Sequence, residues 1–136
     1  MKTLGVLTLV LGIATLPLPA AAATFDGSSA LLCAVIDVME CDLGGGCFRR
    51  SSDDVNLPRF LKVDTKAGMV GTLGATPRTA PIQRMEVLNG GLILQGGQEG
   101  RAWSATITGD TGRLSVGVVH DDVGFVVFGA CTPHTP

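Results

Sequence analysis

From residue 101 onward, apolar and polar side chains alternate with the period of two that a half-buried strand requires. Trp103, Ala105 and Ile107 fall on one face, and Ser104, Thr106 and Thr108 on the other. Leu114, Val116 and Val118 likewise oppose Ser115 and Gly117. The final run, FVVFGAC (125–131), is apolar on both faces, with Phe125 and Val127 against Val126 and Phe128. Such a strand calls for cover on both sides, inside a sandwich or beneath a further layer. The early run ALLCAVIDVMEC (30–41) is the expected source of that layer. Its period fits a strand and one short N-terminal helix equally well, because Val35, Ile36, Val38 and Met39 also share a helical face.

Turn signals divide the rest of the chain at short intervals. RFLKVD (59–64) and MVGTL (69–73) flank TKAG, and IQRMEVL (82–88) meets LILQ (92–95) across Asn89, Gly90 and Gly91. Asn-Gly between apolar runs is a strong hairpin signal. GGQEG (96–100), GDTG (109–112) and HDDVG (120–124) separate the later strands, while GATPRTAP (74–81), with two prolines, reads as an exposed connection. The expected fold is all-β: an antiparallel meander of six to eight strands closed into a small barrel or compact sandwich. Pairing the first strand with the last would remove the exposed edges.

The first 23 residues read differently. Lys2 precedes an apolar run from Leu4 to Leu16, then Pro17, Pro19 and small residues to Ala23. This is the layout of a secretory signal, with cleavage expected near Ala23–Thr24. The run is too short for the roughly 20 residues that a membrane-spanning helix needs. The remaining residues, 24–136, have the size of a single domain. Localisation is therefore expected to be periplasmic or secreted, with no stable membrane anchor.

Export changes the reading of the cysteines. Cys33, Cys41, Cys47 and Cys131 all lie beyond the leader, and an even count in an exported chain reads as two disulfides. Sequence alone does not choose among the pairings. The favoured one has Cys41–Cys47 closing the turn CDLGGGC, where Gly44, Gly45 and Gly46 accept positive φ, and Cys33–Cys131 tying the first ordered segment to the last. The spacings match neither the close cysteine pairs of zinc sites nor the C-x-x-C of a redox centre. The glycine triplet lacks the lysine and helix of a phosphate-cradling loop.

Charge excludes more than it suggests. Without Lys2, nine basic residues against 12 acidic ones leave −3, and the arginines are scattered. Nucleic-acid binding needs a clustered basic face, so none is expected. The VHDD turn sets His120 beside Asp121 and Asp122, which raises a metal or acid–base role for a small hydrolase. Neighbouring strand residues point to opposite faces, however, and aspartates in turns commonly bond the local backbone. A serine nucleophile has no G-x-S-x-G elbow. No catalytic residue, metal ligand or cofactor is assigned.

Trp103 is expected in the core, with a ligand shelf beside Arg101 at the barrel mouth as the alternative. Arg101 shares its face and either caps the mouth of the barrel or pairs with Glu99 or Asp110, the second being preferred. Arg78, between prolines in TPRTAP, marks the loop that an inhibitor of a lysozyme or protease would insert into a cleft, against the plainer reading of an exposed linker. The function expected is a non-catalytic binding or structural module of the cell envelope, recognising a protein or a small apolar ligand.

The segments LLCAVIDVMEC, DVNLPRFLKVD, LILQGGQEGRAWS, TGRLSVGV and GFVVFGAC resemble a family of small exported proteins of Gram-negative bacteria to which no activity is assigned. The resemblance spans nearly the whole chain after the leader. It implies an exported single domain and carries over no functional residue.

Overall fold

In the computed structural model, which describes residues 24–134, every regular element is a strand. The expected leader, 1–23, lies outside the described residues. The strands are β1 (Leu31–Asp42), β2 (Gly46–Arg50), β3 (Phe60–Asp64), β4 (Met69–Leu73), β5 (Thr79–Pro81), β6 (Arg84–Leu88), β7 (Gly91–Gln98), β8 (Arg101–Ile107), β9 (Arg113–His120) and β10 (Val123–Pro133). They form one antiparallel sheet in the order β5-β4-β3-β1-β10-β9-β8-β7-β6, with β2 paired to β1 beside this path. The sheet curls into a half-barrel. Its two ends are drawn together by the short link Ile82–Gln83: the Gln83 amide donates to the Gln95 carbonyl at 2.9 Å, and the Pro81 carbonyl lies against Gly96.

The first and last strands pair as expected, and Cys33 sits directly opposite Cys131 in their register. Both disulfides form, Cys33–Cys131 and Cys41–Cys47. Cys41 and Cys47 face each other across the β1–β2 hairpin, whose turn uses positive φ at Gly44 (78°) and Gly46 (93°). Two disulfides indicate an oxidising, non-cytoplasmic environment. Among the described residues no helix is long and apolar enough to cross a membrane.

Three expectations change. Residues 31–42 form a strand, not a helix, and β1 lies beside β10 in the same sheet instead of covering it. The outward residues of β10 consequently stay uncovered: Val126 is 38% exposed and Phe128 43%. The 74–81 stretch is also more than a connection, because Thr79–Pro81 pairs with Met69–Gly71 as β5. Its proline ends the strand at the edge of the sheet, where a missing N–H does no harm. Finally, β1 and β10 pair in the middle of the sheet, so their pairing leaves β5 and β6 as its edges where it was expected to remove them.

The core occupies one end of the concave face. Leu31, Cys33, Val63, Leu92, Leu94 and Ile107 are buried there with Leu114 and Cys131. The N-terminal segment plugs this end with Phe25, and the Thr65 hydroxyl fixes it by donating to the Gly27 carbonyl at 2.6 Å. Fully burying each leucine or isoleucine is worth about 2–3 kcal/mol.

Candidate functional site

Following the inward residues along three strands reveals a gradient. On β8 they run Ile107, Ala105, Trp103, Arg101, from buried to exposed. On β7 they run Leu92, Leu94, Gly96, Gln98, and on β9 Leu114, Val116, Val118. The alternation that fills the closed end thus continues into side chains that do not meet across the interior. The result is a cavity of about 440 Å³. Buried Leu61, Val63, Leu94, Ala105 and Leu114 form its floor, Val70, Trp103, Val116 and Val118 its walls, and exposed Arg78, Gln98, Glu99 and Arg101 its mouth. That volume lies within the range of small-molecule sites, which are mostly apolar and carry a few polar groups.

Gly96 explains where the indole goes. It pairs with Trp103 across the β7–β8 hairpin, and a Cβ there would come within 2.6 Å of the Trp103 ring and collide with the Pro81 carbonyl. Only a glycine lets the ring rest against β7. The indole therefore forms a wall of the cavity, half-buried, where a core position was expected. Its Nε1 is buried with no hydrogen-bond partner among the described residues. An unpaired buried donor costs about 1–3 kcal/mol, so an acceptor placed beside it gains affinity.

The mouth is held by two loops. The Arg78 guanidinium donates to the Asn56 carbonyl, and the Arg78 backbone is fixed by Thr72: the Arg78 amide donates to Thr72 Oγ1 at 2.7 Å, and the Thr72 amide to the Arg78 carbonyl at 2.8 Å. Loop 51–58 carries its own bracing. Ser51 and Asp54 bond each other's amides at 3.2 Å, and Arg59 pairs with Asp53 at 3.3 Å. The bond from the Ser51 hydroxyl, then that from its amide, holds the Asp54 carboxyl below its ordinary value. This bracing sets Leu57 against the cavity. Glu99 stands at φ 52°, in the left-handed region, within the tight turn that it forms with Gly100.

Arg101 lines the mouth and forms no ion pair among the described residues, in contrast to the expected partnership with Glu99 or Asp110. Arg78 spends its side chain on Asn56, so it braces the mouth where an inhibitory loop would leave it free. His120, Asp121 and Asp122 occupy the β9–β10 turn and do not line the cavity, although the His120 ring lies beside Gly100, between Glu99 and Arg101 of the mouth; Asp121 stands at φ 52°. Among the described residues no three His, Cys, Asp or Glu side chains gather closely enough to hold a metal ion.

The sequence reading singled out Arg78, Arg101 and Trp103 for three separate reasons, and the fold brings them to one cavity. It missed Asn56, Leu57 and Gln98, and named Glu99 only as an ion-pair partner of Arg101. The signal for Gln98 and Glu99 was present: a two-residue turn at Glu99–Gly100 sets Gln98 opposite Arg101 and Gly96 opposite Trp103. Comparison adds nothing to this geometry. No family model, curated protein or solved structure matches the chain.

Proposed function

We propose that the chain is a non-catalytic binding module of an exported cell-envelope protein, periplasmic or secreted, that holds a small apolar ligand inside its half-barrel. The cavity of about 440 Å³ behind Arg101 and Trp103 carries this reading. A packed domain leaves few internal voids larger than a water molecule. A void this size, opening through a polar rim and backed by a rigid closed end, is what a preformed small-molecule site requires.

The test uses the oxidised domain and a neutral apolar fluorophore, N-phenyl-1-naphthylamine. Saturable binding with one site per chain supports the reading. Ala105→Phe, and the milder Ala105→Leu, fill the floor and should weaken that binding at least tenfold while the thermal transition persists. Binding that is unchanged in both folded variants contradicts it.

A further inference from the structure

The mouth says more about the ligand than the cavity does. Its charged residues are Arg78, Arg101 and Glu99, two cations against one anion. Arg78 is committed to the Asn56 carbonyl through one of its nitrogens, and Arg101 to nothing among the described residues. Arg101 also stands two residues before Trp103 on the inward face of β8, at the solvent side of the apolar channel. A guanidinium has a planar fork of donors that matches a carboxylate bidentately. Such a charge-assisted pair at the edge of an apolar, partly dry site is stronger than one in open solvent.

We infer that the site takes anionic amphiphiles, with a carboxylate at Arg101, supported by Arg78, and an unbranched aliphatic tail directed past Trp103 towards Leu94 and Ala105. This rests on the binding reading above and adds the sign of the head group and the direction of the tail. Glu99 works against a carboxylate at the same place, and the two arginines outweigh it. The tail then gains about fourfold in affinity for each methylene buried, until the floor at Leu61 and Leu114 is reached. A longer tail gains nothing further.

Calorimetric titration of the oxidised domain with decanoate, decanol and decyltrimethylammonium separates the head group from the tail. The expected order is decanoate first, by about tenfold or more over decanol, which is what one hydrogen bond to a charged group brings. Arg101→Gln should bring decanoate down to the level of decanol and leave decanol unchanged. Arg113→Gln, an exposed arginine outside the cavity lining, should leave both as they are. Added salt should weaken decanoate alone.

Equal binding of decanoate and decanol overturns the head-group inference and leaves the apolar site standing. Tightest binding of decyltrimethylammonium overturns it too, with Glu99 setting the sign. Failure of all three ligands, together with failure of the neutral fluorophore, overturns the binding reading itself.

Discussion

The two ends of the half-barrel are built from the same strands and the same alternation, and they differ in side-chain volume. At the closed end the inward layer is Leu31, Val63, Leu92 and Ile107, sealed by Phe25, and it packs to exclusion of solvent. At the open end the inward layer is Val70, Thr72, Trp103, Val116 and Val118, and it encloses a cavity of about 440 Å³ above Ala105. Period-two patterning decides which side chains point inward. Their volumes decide whether that interior becomes a core or a cavity. One end supplies the rigidity that the other needs to keep its shape without contents.

Breaking the closed end should have the largest effect. The Cys33–Cys131 bond spans 98 residues of chain, and replacing both cysteines with alanine should cost about 5 kcal/mol in the loop-entropy picture. The Cys41–Cys47 bond closes a separation of only 6, and the same replacement should cost about 2 kcal/mol. Urea denaturation of the two double variants measures the difference directly. Equal losses would mean that the long bond does not constrain the unfolded chain.

Next comes a matched pair of truncations. Leu31→Ala or Leu92→Ala, in the packed layer, should cost about 2–5 kcal/mol through lost burial and a new cavity. Val118→Ala, on a wall that already faces empty space, should cost about 1 kcal/mol or less, because it leaves no new void in a packed layer. Denaturation midpoints check the ratio. A smaller effect is expected from Ala105→Leu: a change in stability within about 1 kcal/mol, accompanied by loss of fluorophore binding.

How far this contrast was legible in the sequence follows from its two causes. Direction was legible: Trp103, Ala105, Ile107, Leu114, Val116 and Val118 were assigned to one face, and that face is the interior. The Asn89–Gly90 hairpin was legible from its turn, whereas the favoured disulfide pairing and the pairing of β1 with β10 rested on the glycine turn and on the removal of exposed edges, and the fold has both. Volume across strands was not, because it depends on register. GGQEG read as a turn from Gly96 onward, whereas β7 continues to Gln98 and its glycine makes room for an indole on the neighbouring strand. The outward Val126 and Phe128 misled in the other direction, since apolar residues on both faces implied a covering layer that β1 does not supply.

The smallest expected effect lies in the bracing of the mouth. The Asp54 carboxyl is held below its ordinary value of 3.8 by bonds from Ser51, so its contribution is present above that value and is lost as pH falls through the lower, folded one. Between neutrality and pH 5 this brace on loop 51–58 should therefore be unaffected. Below about pH 3.8, loop 51–58 should loosen before the closed end does. Amide exchange of residues 52–57, compared with that of β1 and β10, reads the order.

The central claim, that the open end is a ligand site, meets its most direct test in Trp103, because the chain holds a single tryptophan. Exciting that indole while titrating N-phenyl-1-naphthylamine should quench tryptophan emission and sensitise emission from the bound fluorophore in equal proportion, saturating at one site per chain. Fluorophore that binds with no energy transfer from Trp103 would place it elsewhere on the molecule and contradict the account.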